Sequence, residues 1–221
     1  MTTAPVTAPG FAAALRAATA EAHERAESTR FVADLMEGRL EVDAYAGLLG
    51  QLRHVYAALE SVGDGLATDP VAGPFVDEDL RRLAHLERDL TDLVGGDWPA
   101  AATPRPATAR YVARLREVAD WPGGFVAHHY TRYLGDLAGG QAIRAAVRRH
   151  YGLEGDVGTR FFVFDRIEKP KVWRDAYRAR LDALPLDADE RTRVAAEAVH
   201  AFELNTELFL DLERDFRPHP I

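Results

Sequence analysis

The sequence predicts an all-α fold, a single domain built as an irregular multi-helix bundle. Three observations lead there. Nearly every apolar stretch repeats at the i, i+3, i+4, i+7 spacing of one helix face. No run alternates with period two between turn residues, and no hairpin signal appears. The length of 221 residues suits one domain, and such a chain buries roughly 70–75% of its unfolded surface.

The elements follow in order. Residues 1–9 read as a tail, with the domain at 10–216 and a second tail at 217–221. The first helix runs from Phe11 to Glu27, with Leu15, Ala18, Ala22 and Ala26 on one face. A short helix from Phe31 to Glu37 stops at Gly38. The clearest stripe follows: Tyr45, Leu48, Leu49, Leu52, Val55, Tyr56 and Leu59, with Asp43 as N-cap. Turn signals at Asp69-Pro70 and Gly73-Pro74 precede a helix over Asp77 to Val94, which breaks at Gly95-Gly96. Pro99 to Pro106 is a loop, and Thr108 to Ala119 is helical. A long helix spans Gly123 to about Gly152, interrupted by Gly135, Gly139 and Gly140. The aromatic stretch Arg160 to Ile167 is an extended connection. Pro170 sits at N1 of the next helix, which carries Trp173, Tyr177, Leu181 and Leu184. Asp187 or Asp189 caps the last, carrying Val194, Ala198, Phe202, Phe209 and Leu212. The count is about eight helices.

Composition removes several chemistries. There is no cysteine, which excludes thiolate nucleophiles, disulfides, Fe–S clusters and Cys-based zinc sites. The 27 basic and 35 acidic residues give a net charge of −8, against a nucleic-acid grip spread over the surface. No apolar run approaches the ~18 residues of a membrane span. The first ten residues lack the basic and apolar regions of a secretory leader, so the expectation is a cytoplasmic protein away from the membrane.

Eight histidines are present. A helical His is most often structural, but His23 has Arg16, Thr19 and Glu27 at i−7, i−4 and i+4 on its own face. A carboxylate one turn away orients an imidazole by accepting its free ring N–H, as partners of metal-bound His do. The sharper signal is Tyr130-Thr-Arg-Tyr-Leu-Gly-Asp-Leu-Ala-Gly-Gly-Gln141. Each glycine inside a helix costs roughly 0.8–1 kcal/mol against Ala. Close packing of a neighbouring helix, a kink, or a flat ligand lying on the backbone would each explain three of them. Asp136, between Leu134 and Leu137, needs water, Arg132 or a tyrosine as partner. From Arg160 to Arg180 there are seven basic and three acidic residues, net +4. Lys169, Lys171, Arg174, Arg178 and Arg180 form either a solvated face or a surface for carboxylates and acidic partners. His23-Glu-Arg-Ala-Glu27 lacks the second His of a zincin. Glu197-Ala-Val-His200 is a lone E-x-x-H, short of a di-iron set.

Together these segments resemble the haem oxygenases, over Leu15 to about Leu212. Leu15 to Glu27 is similar to the family's first helix with its axial histidine. Tyr130 to Gln141 is similar to its distal-helix signature, Trp173 to Arg178 to its propionate-facing helix, and Phe202 to Phe209 to its last helix. The resemblance implies haem b sandwiched between the first helix and a Gly-kinked distal helix, as substrate and cofactor at once. His23 would be the axial iron ligand, with Glu27 near its ring N–H. Gly135 and Gly139 would let the distal helix touch the porphyrin. Asp136 would hold the distal water network, supported by Arg132 and Tyr56. Arg16, Tyr130, Arg174 and Arg178 would bind the propionates, and Phe202 and Phe209 would line the pocket. Ala138 stands where many members have Ser, and Arg16 and Arg174 where animal members have Lys. The implied reaction uses O2 and outside electrons to convert haem to biliverdin, ferrous iron and CO. Gly135 to Gly140 does not fit G-x-G-x-x-G and follows no strand. The electron donor would therefore be an acidic ferredoxin or an NAD(P)H-dependent flavoprotein reductase, docking near residues 169–180. The alternative is a haem carrier or sensor that leaves haem intact. A thiaminase-like use of the fold is disfavoured by the missing cysteine.

Overall fold

The computed structural model describes residues 10–216; the expected tails at 1–9 and 217–221 lie outside them. The fold is all-α, with no strand among the described residues. The helices are α1 (Phe11–Glu27), α2 (Arg30–Met36), α3 (Val42–Gly65), α4 (Leu83–Val94), α5 (Trp98–Ala101), α6 (Pro106–Glu117), α7 (Pro122–His129), α8 (Gly135–Tyr151), α9 (Pro170–Asp182) and α10 (Ala188–Asp215). Two of these were not expected as separate helices. The short α5 lies in the Pro-rich connection, and the long helix after Gly123 divides into α7 and α8.

The long α10 is the spine, packed on by α1, α2, α3, α6 and α7. The buried face of α1 is Phe11, Ala12, Leu15, Thr19, Ala22 and Ala26, small enough for α1 and α10 to lie close. Ala18, expected on that face, is exposed. The stripe turns by one residue, and Thr19 takes the place, its hydroxyl donating to the Leu15 carbonyl at 2.9 Å. The α3 stripe is buried as its spacing predicts, with Tyr45, Leu49, Val55 and Tyr56 fully enclosed.

Several helix starts are capped by acids from other helices. The Ala12 N–H donates to Asp182 of α9 at 2.8 Å. Glu60 of α3 accepts from the N–H groups of Arg82 and Leu83 at 2.6 and 3.0 Å. Asp211 of α10 accepts from Ala107 at 2.8 Å. These bonds satisfy backbone donors that a helix leaves unpaired at its start.

Four local expectations are corrected. Asp43 is not the cap of α3; Glu41 holds that position and Asp43 lies in the first turn. Asp77 to Val94 is not one helix. Asp77 caps a 3-10 turn at Glu78–Leu80, extended geometry at Arg81 breaks the chain, and Glu60 restarts it at α4. Arg160–Phe162 is a 3-10 turn inside the supposed extended segment, held by Asp89 accepting from Arg160 and Phe161 N–H at 2.9 and 2.8 Å. In the distal helix the irregular turn is π-helical, Tyr130–Leu134, and lies just before the glycines; Gly135 to Gly140 keep α-helical form. A π turn inserts one residue and re-aims the side chains that follow. Pro170 at the start of α9 and Asp187 capping α10 hold as expected.

His129 ends α7 among Phe75, Phe125, Tyr133 and Tyr177. Its ring N–H is taken by the Phe75 carbonyl, so Nδ1 is an acceptor and the Tyr177 hydroxyl donates to it at 2.9 Å. Burial pushes this imidazole down to about 3. The folded value lies below the unfolded one of about 6.5, so this stability is present above pH 6.5 and lost as pH falls toward 3. In His129→Gln, the stability lost between pH 7 and pH 5 should shrink by about 2 kcal/mol. Denaturant titration at both pH values measures it, and an unchanged difference contradicts the assignment.

Candidate active site

A cleft of about 1110 Å³, partly open to solvent, lies between α1, the start of α8 and α10, with Phe161 and Phe162 at one side. A second opening of about 1090 Å³ continues it outward past Arg16, Tyr130 and Arg174. His23, Thr131, Gly135 and Phe202 line both.

On the α1 wall, His23 is half-exposed, at 47% of its side-chain surface, with Nδ1 3.4 Å from Glu27 Oε2. One helical turn produces this pair. With Nδ1–H directed at the carboxylate, Nε2 keeps its lone pair. Phe202 of α10 meets the imidazole edge-on, with ring centroids 5.4 Å apart. Phe209, two turns later, stacks on Phe31 and lines the same cleft.

The opposite wall is the first turns of α8. A Cβ built on Gly135 or Gly139 would meet no atom within 4 Å, whereas one on Gly140 would stand 2.9 Å from the Phe162 ring. The three glycines therefore have two reasons. Gly140 lets Phe162 pack against the helix, while Gly135 and Gly139 face open space in the cleft. The bare backbone suits a flat ligand, as the cleft between His23 and these glycines would require for haem.

Asp136 stands between those glycines. The Tyr56 hydroxyl donates to its Oδ2, and the Arg132 guanidinium reaches Oδ1 at 3.4 Å. Arg132 is buried, held by Asn205 Oδ1 at 2.7 Å, and touches the Tyr56 oxygen at 3.4 Å. Tyr56 lies behind the cleft wall, fully buried, and only its hydroxyl reaches the site. Burial pushes the Asp136 carboxyl well up; the two donors pull the other way, and burial is the larger effect. Burial makes this carboxyl hold a proton more readily than a solvated one does.

At the outer opening, Arg16, Tyr130, Arg174 and Arg178 come together from α1, the π turn and α9. The Arg174 Nε is buried with no partner, as a cation waiting for an anionic group would be. Arg178 is already paired with Asp175 at 2.8 Å. Burial raises the Tyr130 hydroxyl; Thr19, Arg178 and Arg16 oppose it. Ala138 lines this opening too. The basic segment of 169–180 is divided: Arg180 bonds the Pro74 carbonyl and covers Trp173, while Lys169 and Lys171 are exposed.

All thirteen residues expected at the site thus lie in or directly behind it. Asn205 and Phe161 were missed. Asn205 shares the face of Phe202 and Phe209, three residues after the first and four before the second, a helical spacing legible in the sequence. Phe161 carries no such signal, because a remote 3-10 turn delivers it.

Residues 9–211 match the family model described as Heme oxygenase. The chain is similar to heme oxygenase 1 of Rattus norvegicus, 38% identical over 203 residues, covering 90% of this chain and 70% of that one. It is similar to a heme oxygenase of Pyropia yezoensis, 37% identical, covering 90% and 84%. Among solved structures, heme oxygenase-1 of the cyanobacterium Synechocystis sp. PCC6803 in complex with heme superposes with a TM-score of 0.89 at 35% identity, covering 94% of both chains. The heme oxygenase of Leptospira interrogans gives 0.88 at 33%, covering 92% of this chain and all of that one (100%). No helix among the described residues is long and apolar enough to cross a membrane.

The two kinds of glycine are separable by substitution. Gly139→Ala adds a methyl group to open space and should leave the melting temperature unchanged or raise stability by about 0.5–1 kcal/mol. Gly140→Ala forces the Phe162 ring to move and should cost about 1–3 kcal/mol. Thermal melting of both ranks them; a less stable Gly139→Ala protein contradicts the open-space reading.

Proposed function

The chain belongs to the haem oxygenase family, and from that premise we propose how its cleft works. It is a haem-degrading oxygenase that converts haem to biliverdin, ferrous iron and CO, using O2 and electrons from outside. The observation that carries the site assignment is the open pair Gly135 and Gly139, which line one cleft with the His23 imidazole. When bound, haem supplies the iron at which O2 is activated and the porphyrin carbon that is oxidised.

The chain's own residues position and protonate. His23 would hold the haem iron through Nε2, with Glu27 orienting the ring through Nδ1–H. At 3.4 Å between two exposed side chains, this is a loose contact that adds little electron density to the ring. Gly135 and Gly139 bring the main chain of α8 against the macrocycle, so the reacting edge is held rather than searched for. Asp136 holds or moves a proton at its carboxyl oxygens through an ordered water, with Tyr56 as donor. Arg132, fixed by Asn205, keeps the carboxyl in place. Arg16, Tyr130, Arg174 and Arg178 receive the propionates; Arg174 Nε is the donor left free for one. Phe202 and Phe209 keep water from the macrocycle faces. An acidic ferredoxin or an NAD(P)H-dependent reductase would meet the exposed Lys169 and Lys171 beside that opening.

Haem titration followed by ascorbate and O2 tests the activity: the Soret band should bleach and biliverdin should appear on chromatography. Intact haem would mean a carrier. Asp136→Asn should bind haem as the native protein does, while biliverdin yield falls by at least about tenfold; normal yield removes Asp136 from this role. Turnover driven by a ferredoxin-type donor should fall as salt rises, whereas ascorbate-driven turnover should not. Equal salt response in both speaks against docking at the basic segment.

A further inference from the structure

Beyond the cleft, rings touch one another in an unbroken series to the surface. Tyr56, whose hydroxyl bonds Asp136, meets Tyr133 with centroids 5.5 Å apart. Tyr133 meets His129 at 4.4 Å, and His129 stacks on Tyr177 at 5.7 Å, with planes 9° apart. Tyr177 meets Trp173 at 5.3 Å. Trp173 is half-buried, in the first turns of α9.

The hydrogen bonds set these phenols apart. Oxidising a phenol by one electron makes its O–H strongly acidic, so the step proceeds where a base already holds that proton. Tyr56 donates to Asp136, Tyr177 to His129 Nδ1 at 2.9 Å, and Tyr133 to Glu60 at 3.5 Å, the loosest of the three. All three acceptors can take a proton. The remaining tyrosines are placed otherwise. Tyr45 and Tyr151 donate to the carbonyls of Gly158 and Leu40. Tyr130 bonds Thr19. The Tyr111 hydroxyl is buried without a partner. A buried phenol needs some partner in any protein, but a base at each of three linked rings, and at none of the other four, goes beyond that need.

The tryptophans differ in the same way. Trp98, Trp121 and Trp173 are all half-exposed, and each has an arginine over its face. Among the described residues, Trp173 alone of the three meets another aromatic ring.

We propose that Tyr56, Tyr133, Tyr177 and Trp173 form a discharge path, carrying an oxidising equivalent that arises in the cleft out to the surface indole. The inference rests on haem lying in that cleft. An O2-derived oxidant formed there and not used on the porphyrin takes one electron from Tyr56, whose proton passes to Asp136. Tyr133, then Tyr177, re-reduces the ring before it, with Glu60 and His129 holding their protons and the neutral His129 ring bridging the two. Trp173 supplies the electron in the end. Each phenol recovers its own proton. Two such transfers and one water convert the indole to a hydroxyindole and release two protons; the two electrons and two protons reduce one peroxide to two waters. The path spares Tyr56, Arg132 and Asp136 at the expense of a surface side chain.

The test exposes the haem complex to hydrogen peroxide without reductant and measures oxygen addition at each tryptophan by peptide mass spectrometry. Solvent peroxide attacks three half-exposed indoles alike; the path singles out one. In the native complex Trp173 should be oxidised several-fold more than Trp98 and Trp121. In Tyr133→Phe, which keeps the ring and removes the phenol, the ratio should fall to near unity with the Soret band unchanged. Tyr177→Phe should behave the same and serves if the first variant folds poorly. Equal oxidation of the three tryptophans in the native complex, or an excess at Trp173 that survives both substitutions, overturns the path while leaving haem binding intact. A protein that takes up no haem overturns both the path and the cleft assignment.

Discussion

A stretch of main chain without side chains holds the site open, and the other features of the site depend on it. Gly135 and Gly139 face the cleft with nothing opposite them, while their neighbour Gly140 is pressed on Phe162. The helix is pinned on one side by that ring and by Gln141, whose amide donates to the Phe162 carbonyl at 2.7 Å. On the other side it is bare. Glycines in a helix weaken it by roughly 0.5–1 kcal/mol each. Here tertiary contacts offset that weakness: the π turn before the glycines is buried through Tyr130, Thr131, Arg132 and Tyr133. A rigid, side-chain-free surface results, and His23 on α1 lines the same cleft.

The polar groups beside those glycines are few, and Asp136 and Arg132 are held by hydrogen bonds. Asp136 lies beside the glycines, and burial raises its proton affinity. Arg132 ties it to Asn205 on α10, so the carboxyl is fixed to two elements at once. Positive charge is kept for the outer opening, where Arg174 retains a buried donor with no partner. An interior carboxyl with two donors and a basic rim with a free donor suit a ligand that is apolar at one end and carries carboxylates at the other.

What could be read from the sequence follows the range of the forces involved. Helix faces were legible because apolar periodicity records which side is buried; Leu15, Leu49 and Tyr56 lie where the stripes put them. The Asp187 cap was legible because its partner, the Glu190 N–H, is three residues away. The starts of α1, α4 and α6 were not, since their caps come from Asp182, Glu60 and Asp211 on other helices. The same holds for Phe161, delivered by a turn that Asp89 organises from α4. The glycine cluster was visible, but its three explanations could be separated only by the contact with Phe162. The family resemblance gathered the site residues; the geometry adds Asn205, the loose His23–Glu27 pair and the prior engagement of Arg178 with Asp175.

The central claim is that an imidazole on α1 and a bare turn of α8 grip one macrocycle between them. Resonance Raman spectroscopy of the ferrous haem complex reads the first half of that grip directly. The account predicts an iron–histidine stretch in the native protein that is lost in His23→Ala and restored by added imidazole. The same stretch in His23→Ala without imidazole would place the iron ligand elsewhere and contradict the account.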